Sequence, residues 1–166
     1  MFARPPLRIK QATKEDVPLI LTFIRELAQH ERALDRVSAT EDGLLVTLFG
    51  ARPYAEAVIA YENVEPVAFA LYYFSYTSFS ALPGLYLEDI FVRPATRRRG
   101  VGRQLFAFLA QRAIERNCAR MEWSVLNWNE PAISFYEKLY AEPVHDWTVF
   151  HLSKERVAQL ADQARQ

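Results

Sequence analysis

Helical spacing of apolar residues marks the first part of the chain. Ile20, Phe23, Ile24 and Leu27 recur at three- and four-residue intervals, which predicts a helix over residues 16–34. Thr40 is placed to cap a second, shorter helix that ends before Gly50. Further on, Val101, Leu105, Phe108 and Leu109 form another helical stripe, so a helix is predicted from the glycines at 100 and 102 to about Asn117.

Extended apolar runs alternate with these helices and predict strands. Such runs are rich in β-branched and aromatic residues and are bounded by polar turns. They occupy residues 7–10, 55–61, 66–76, 85–92, 121–126 and 147–152. Pro131 opens one more helix, because proline is favoured in the first turn, and Ser153 is placed to cap a last one.

The predicted order is β, α, α, β, β, β, α, β, α, β, α. Strands two to four follow one another through short connections, which favours an antiparallel meander. No repeat and no long linker divides the chain. We therefore expect a single α/β domain over residues 1–166 with a mixed sheet.

The charge balance limits the possible partners. Lys+Arg and Asp+Glu both number 20, so no overall field draws the protein to nucleic acid or to a membrane. One cysteine, Cys118, forbids an intramolecular disulfide. No apolar run reaches the roughly 18 residues of a membrane span, and residues 1–10 show no apolar signal core. We expect a cytoplasmic protein.

The most informative segment is the basic glycine turn at residues 92–103. It lies between a predicted strand and a predicted helix, where first-turn N–H groups and the helix dipole attract an anion such as pyrophosphate. A P-loop would need a Lys-Ser/Thr pair, and a dinucleotide fingerprint would need glycine at position 105, which is Leu105. A solvated basic turn stays open on the pattern alone.

Arg97-x-x-Gly100-x-Gly102 resembles the acyl-CoA-binding motif of the GCN5-related N-acetyltransferases (GNAT). The surrounding segments 85–92 and 128–136, together with 25–28 and 72–74, resemble one branch of that family. This branch comprises the spermidine/spermine (diamine) and thialysine N-acetyltransferases. The resemblance runs from about Leu7 to His151.

The resemblance implies a twisted, mixed, mostly antiparallel sheet that is flanked by helices and splayed between strands four and five. It implies acetyl-CoA as co-substrate and no metal. The residues expected to hold acetyl-CoA lie at the end of the fourth strand, in the glycine turn and at the start of the helix that Pro131 opens. They are Ile90, Phe91, Val92, Arg97, Arg98, Arg99, Gly100, Val101, Gly102, Arg103, Asn129, Pro131 and Ala132.

Two residues are predicted to carry the chemistry. Glu88 lies in an otherwise apolar strand, where a carboxylate is costly unless it has a task, so we expect it to accept the amine proton or to bind the amine. The alternative is an arginine-paired carboxylate. Asp89 should face the opposite side unless a β-bulge intervenes. Tyr136 matches the family's general acid for the leaving thiolate; from pattern alone a core aromatic stays open.

The acceptor side is expected to involve His30 and Glu31 on the first helix and Glu122, Trp123 and Ser124 on the fifth strand. The polyamine enzymes carry an acidic residue and a tryptophan where this chain has Thr77 and Phe79. This departure favours a shorter amine or a lysine analogue.

The predicted activity is direct acetyl transfer to a small-molecule primary amine. Cys118 lies away from the predicted catalytic strand, so no cysteine intermediate is expected. Two alternatives stay open: an acceptor that is a protein or peptide, and a non-catalytic acyl-CoA-binding module. The resemblance also implies a homodimer.

Overall fold

The structure, a computed structural model, describes residues 6–164. The chain consists of two compact units, and the boundary between them falls between Ser124 and Val125. Residues 1–5, which belong to the segment expected to lack a signal core, lie outside the described part of the chain. Within residues 6–164 no helix is long and apolar enough to cross a membrane.

The first unit is built on a five-stranded sheet in the order β1-β2-β3-β4-β5. Its strands are β1 (Leu7–Gln11), β2 (Glu56–Glu62), β3 (Glu65–Thr77), β4 (Leu82–Val92) and β5 (Met121–Trp123). The first four strands pair antiparallel, and β5 pairs parallel to β4. The predicted mixed, mostly antiparallel sheet is confirmed.

Three helices complete the first unit: α1 (Val17–His30), α2 (Glu41–Phe49) and α3 (Val101–Glu115). The Phe23 ring of α1 stacks on Phe69 of β3 with ring centroids 5.2 Å apart, so α1 covers one face of the sheet. The Arg112 guanidinium of α3 and the Tyr72 hydroxyl both hydrogen-bond Glu56, so α3 lies on the other face. Phe69 and Tyr72, three residues apart in one strand, point to opposite faces as this requires.

The α1 face holds the main apolar core. Val17, Ile20 and Phe23 pack there against Phe69, Leu71 and Phe91. The α3 face is closed by Leu85 and Leu87 of β4 together with Leu105 and Leu109 of α3, all of them buried. The buried residues therefore identify the two faces of the sheet, and the register then shows to which face each paired side chain of β3 and β4 points.

The strands β4 and β5 pair over a short length only. Leu85, Tyr86 and Leu87 are matched with Met121, Glu122 and Trp123. Beyond Leu87, β4 continues to Val92 with β3 on one side, and no strand of residues 6–164 pairs with its other edge. This agrees with the predicted splay between strands four and five.

The second unit contains two helices, α4 (Glu130–Glu137) and α5 (Lys154–Gln163). The strand predicted over residues 147–152 is wrong, because the structure has no strand there and leaves Trp147, Val149 and Phe150 75%, 91% and 89% exposed. A strand is stable only when another strand pairs with it. In the described part of this unit there is none to do so.

Two predicted boundaries also shift. The first helix ends at His30 rather than at residue 34, since Arg32 adopts a left-handed φ of 58° and a short 3-10 helix, Leu34–Arg36, follows. The fifth strand ends at Trp123 rather than at residue 126. The capping residues Thr40 and Ser153 lie where expected, accepting hydrogen bonds from the Gly43 and Arg156 amides.

Candidate active site

A β-bulge in β4 positions the two adjacent carboxylates. Leu87 is opposite Tyr72 and Asp89 is opposite Leu71, so Glu88 is an extra residue without a partner in β3. Such an insertion reverses the alternation of side chains that follow it. Leu87 therefore points to the α3 face, whereas Asp89 shares the α1 face with Leu71 and Phe91.

Asp89 is the more perturbed of the two carboxylates. Burial, with Glu88 and Glu31 nearby, raises the pKa of Asp89 to about 6. Glu88 is exposed. A proton acceptor works best when its pKa lies near the working pH, so Asp89 has the more suitable environment. The sequence pattern had favoured Glu88, since the bulge that brings Asp89 onto the α1 face does not show in the alternation.

The end of α1 brings His30 and Glu31 toward this face. The His30 ring lies 6.2 Å from the Phe91 ring, and Glu31 contributes to the raised pKa of Asp89. Burial lowers the pKa of His30, and the positive charge of Arg97 adds to the effect. His30 thus lies beside Phe91, and Glu31 lies near Asp89.

The residues predicted on β5 divide between the two faces. Glu122 is in register with Tyr86, and the Ser124 hydroxyl hydrogen-bonds the Tyr86 hydroxyl at 2.9 Å. Both therefore lie on the face that carries Asp89. Trp123 points the other way, with its ring 5.0 Å from the Phe106 ring of α3.

The carboxylates of the α1 face differ in their ionic partners. Arg120 Nε lies 2.8 Å from a carboxylate oxygen of Glu122. Glu31, Glu88 and Asp89 have no ion-pair partner among the described residues. The structure therefore does not show the arginine-paired alternative for Glu88, and none of these three carboxylates forms an ion pair within residues 6–164.

The glycine turn ends at the N-terminus of α3. Gly100 has φ +87°, a left-handed conformation that side chains rarely adopt, and a Cβ atom there would meet nothing within 4 Å. Within the described chain, none of the backbone N–H groups of residues 98–103 donates a hydrogen bond. These donors and the helix dipole form a ready anion site.

The arginines of the turn have different partners. Arg97 folds back, donating from Nε to the Val92 carbonyl at 2.8 Å and lying over the Phe91 ring. Arg99 Nη1 lies 3.4 Å from Glu62 Oε2. Arg98 and Arg103 have no ion-pair partner among residues 6–164. Arg98 and Arg103 are thus the side chains of the turn most available to a phosphate.

Arg93, at the start of the basic run, has a structural partner. Its Nε and Nη2 atoms donate to both carboxylate oxygens of Glu26 in α1 at 2.9 and 2.7 Å. Nη1 donates to the Pro66 carbonyl at 2.7 Å. A bidentate pair of this kind fixes position as well as adding energy. It ties the end of β4, and so the turn that follows, to α1.

The unpaired edge of β4 spans the predicted pantetheine-binding residues Ile90, Phe91 and Val92. The Val92 carbonyl oxygen already accepts the hydrogen bond from Arg97. The remaining outward-facing groups of the edge have no strand partner in the described chain. An amide-containing chain can hydrogen-bond such an edge as an added strand would.

The second unit carries the other predicted residues. Asn129 caps α4, its side-chain oxygen accepting from the Ala132 amide at 3.3 Å, and Pro131 lies in the first turn. Tyr136 is half-buried on α4, its ring 5.6 Å from that of Phe135. The Asn129 side chain therefore has a structural task within its own helix.

Acetyl-CoA fits the groups of the first unit. Its pyrophosphate matches the free N–H groups at 98–103, and its amide-containing arm matches the open edge of β4. Among residues 6–164 no group of three His, Cys, Asp or Glu side chains is arranged to hold a metal ion.

The comparisons with known proteins place the chain in a family. Residues 21–140 match the acetyltransferase (GNAT) family. The chain belongs to this family and is an N-acetyltransferase, and enzymes of the family use acetyl-CoA.

Curated relatives narrow the branch. The chain is 32% identical to thialysine N-epsilon-acetyltransferase of Bos taurus, over 92% of this chain and 96% of the relative. It is 30% identical to an L-ornithine N5-acetyltransferase of Arabidopsis thaliana, over 92% of this chain and 87% of the relative. A spermidine/spermine N(1)-acetyltransferase-like protein of Homo sapiens is 34% identical over 93% of this chain but only 24% of its own length. The predicted branch is confirmed.

Solved structures agree on the fold. An integron cassette protein from the mobile metagenome of V. cholerae superposes with a TM-score of 0.79 at 24% identity, covering 93% of this chain and 97% of that one. An aminoglycoside acetyltransferase from a soil metagenome gives a TM-score of 0.75 at 19% identity, over 89% and 97% of the two chains.

Proposed function

We propose that this enzyme transfers the acetyl group of acetyl-CoA directly to a primary amine of a small cationic molecule that is shorter than a polyamine. The observation that carries the proposal is the set of three neighbouring carboxylates, Glu31, Glu88 and Asp89, none of which has an ion-pair partner in the part of the chain that the structure describes. An alkyl ammonium has the charge they need, and the open edge of β4 that adjoins them fits the acetyl donor.

The carboxylates of the bulge supply the first proton transfer. An alkyl ammonium is mostly protonated at neutral pH and must lose a proton before its nitrogen can attack. Asp89, with its pKa raised to about 6, is our first candidate to accept that proton, directly or through water. Glu88, which the bulge places next to it, is the second and also holds the positive charge of the amine.

The acetyl transfer then exchanges one bond for another. The amine nitrogen attacks the thioester carbonyl carbon, the N–C bond forms and the C–S bond breaks. The leaving thiolate takes a proton from the Tyr136 hydroxyl, the role implied by the family resemblance, and the second proton that the nitrogen loses as it becomes an amide restores that hydroxyl. Cys118 plays no part, since burial raises the pKa of its thiol and disfavours the nucleophilic thiolate.

The donor is proposed to bind along the first unit's free polar groups. Amides of residues 98–103, with the side chains of Arg98 and Arg103, hold the pyrophosphate. Backbone groups of Ile90 and Phe91 hold the pantetheine arm. Asn129, Pro131 and Ala132 complete the acyl-CoA set by resemblance.

The acceptor is proposed to be an amino acid with a side-chain amine, such as a lysine analogue or ornithine, or a short diamine. Thr77, which is 8% exposed, and Phe79, which is 97% exposed, lie at the β3–β4 turn, and neither side chain carries a carboxylate that could bind a distant second amine. Relatives named for thialysine and L-ornithine support the shorter class. We further propose one catalytic domain over residues 1–166, a homodimer and a cytoplasmic location.

The test is acetyl-CoA-dependent thiol release by the purified protein. The acceptors are thialysine, lysine, ornithine, putrescine, spermidine, spermine and two lysine-containing peptides. We expect release with the short acceptors and little with spermine. Release with peptides alone would overturn the proposal in favour of a protein acceptor. Tight acetyl-CoA binding without release would favour a binding module.

A further inference from the structure

Two tyrosines lie in a row across the sheet, beside the carboxylates of the bulge. Tyr73 of β3 is in register with Tyr86 of β4, which is in register with Glu122 of β5. Residues directly opposite one another share a face of the sheet. The row therefore lies on the α1 face, the face of Asp89, and it crosses the sheet on the β4–β5 paired side of the bulge.

The two rings form a fixed aromatic surface. Their centroids are 5.1 Å apart with a 30° tilt, and the Tyr86 hydroxyl is held by the Ser124 hydroxyl at 2.9 Å. Both tyrosines are half-buried and neither belongs to the apolar core of this face. Packing of the core therefore does not explain why two large rings are placed there.

The charges around this pair favour a cation. Burial, followed by the nearby Glu88, Tyr86 and Glu122, raises the pKa of Tyr73, so its hydroxyl stays neutral and Glu88 and Glu122 lie close to it. Arg120 pairs with Glu122, whereas Glu88 has no ion-pair partner among the described residues. Aromatic faces attract ammonium groups, more strongly when carboxylates are near.

We propose that Tyr73 and Tyr86 are specificity-determining residues that bind a second ammonium group of the acceptor while its other amine is acetylated. This rests on the proposed function. Tyr86 and Asp89 are opposite Tyr73 and Leu71, which are two positions apart in β3, so the bulge leaves roughly 7 Å between the two β4 positions along the strand. An acceptor whose nitrogen atoms are four or five carbons apart reaches from Asp89 toward the rings. The pair thus takes the place of the acidic residue and tryptophan that Thr77 and Phe79 replace.

The experiment compares a matched pair of acceptors: 1,5-diaminopentane differs from n-pentylamine only in carrying a second ammonium group. Thialysine is the third acceptor and carries its second ammonium group as the α-amine of an amino acid. The variants are Tyr73→Leu, Tyr86→Leu and the ring-preserving Tyr73→Phe, with Tyr76→Leu as the matched control. Tyr76 lies on the same strand, faces the other side and is 69% exposed. Circular dichroism and acetyl-CoA binding establish that each variant is folded.

For the leucine variants we expect KM for the two-amine acceptors to rise about 5- to 30-fold with kcat nearly unchanged, in line with cation–π attraction of about 1–2 kcal/mol. KM for n-pentylamine should not move, and Tyr73→Phe and Tyr76→Leu should behave as the wild type. A rise in KM limited to thialysine would identify the α-ammonium of an amino acid as the bound group. A rise in KM limited to 1,5-diaminopentane would identify a distal amine instead.

Equal increases in KM for all three acceptors would overturn the inference, since they would indicate lost packing. So would wild-type KM values for 1,5-diaminopentane and for thialysine that are both no lower than the KM for n-pentylamine. Because amines would still be acetylated in both cases, the proposed function would stand. Absence of acetylation of any amine by the wild type would instead refute the proposed function itself.

Discussion

Asp89 illustrates how one side chain can be unfavourable for folding and useful for chemistry. The carboxyl group is largely removed from water and lies near Glu88 and Glu31, so its ionised form is disfavoured in the folded protein. An unfolded chain imposes no such penalty. The same environment keeps the group able to take up a proton near neutral pH, which is what transfer from an amine requires.

Asp89→Asn should therefore stabilise the protein and disable it. Because the folded pKa of about 6 lies above the ordinary aspartate value of 3.8, the wild type loses stability as pH rises from about 4 to 6. An asparagine at this position cannot ionise and escapes that loss. The free energy of unfolding of the variant should therefore equal that of the wild type at pH 4 and exceed it by on the order of 1–2 kcal/mol at pH 8. Urea unfolding of both proteins at the two pH values measures it.

Activity supplies the second readout for Asp89→Asn. We expect kcat/KM to fall about 100-fold or more, and the wild type to show an acidic limb near pH 6. A variant as active as the wild type, or one that is no more stable at pH 8, would show that Asp89 is not the strained proton acceptor.

Tyr136→Phe removes one hydroxyl from α4 and keeps the ring. If the hydroxyl protonates the leaving thiolate, kcat should fall about 100-fold while acetyl-CoA affinity changes little. Steady-state kinetics and calorimetric titration separate the two effects. Tyr140→Phe is the matched control, since Tyr140 is 93% exposed. A Tyr136→Phe enzyme with unchanged kcat would remove Tyr136 from the mechanism.

At the level of elements, the β4 bulge determines which side chains meet. Before it, the odd-numbered residues of β4 point to α3; after it, they point to α1. One inserted residue thereby brings an acidic pair to the face on which α1 ends, without disturbing the pairs on either side. Bulges commonly redirect side chains next to active sites.

Deletion of Glu88 tests the bulge itself. The pairs Leu87–Tyr72 and Asp89–Leu71 would become consecutive, so the flanking register is preserved and the protein should fold. The deletion removes the local twist as well as one carboxylate, whereas Glu88→Gln removes only the carboxylate. We therefore expect kcat/KM of the deletion variant to be about tenfold lower than that of Glu88→Gln. Near-ultraviolet circular dichroism checks the fold. Equal activities of the deletion and Glu88→Gln would mean that the bulge has no positional role.

At the level of the whole molecule, the donor site is a set of unmet hydrogen-bonding groups. The amides of residues 98–103 donate no hydrogen bond within the described chain, and the β4 edge beyond Leu87 has no strand partner there, although the Val92 carbonyl accepts from Arg97. A ligand that satisfies them only in the folded state stabilises the entire fold by mass action. Stability of this enzyme should therefore depend on acetyl-CoA concentration.

Acetyl-CoA at about 100 times its Kd should contribute about 2.7 kcal/mol, which raises Tm by roughly 5–10 °C in a chain of this size. Acetyl-pantetheine, which has the arm but no pyrophosphate, should produce a much smaller shift at equal concentration. Differential scanning calorimetry measures both. Gly100→Glu, which places a negative side chain at the turn, should abolish the acetyl-CoA shift; an undiminished shift would mean that the pyrophosphate binds elsewhere.

Periodicity predicted the parts of the fold in which each residue has a simple partner. The three meander strands and α3 were found because alternation and helical spacing reflect burial on one face. The sequence pattern could not decide whether β4 contains a bulge. An extra residue at Glu88 leaves the same order of residues as a regular strand in which two acidic residues interrupt the alternation. The strand at 147–152 was wrong because an apolar pattern says nothing of whether a neighbouring strand exists. Tyr73 and Tyr86 gave no chemical signal because aromatic residues are common in strands.

The open edge of β4 also affects how the protein must be handled. An unpaired strand edge recruits any extended backbone, including that of another copy of the chain. Acetyl-CoA bound as proposed would cover this edge, so the co-substrate would also protect the protein from aggregation. Purification that removes the co-substrate would then expose the edge at high protein concentration. We expect storage with a non-reactive CoA analogue to keep the edge covered.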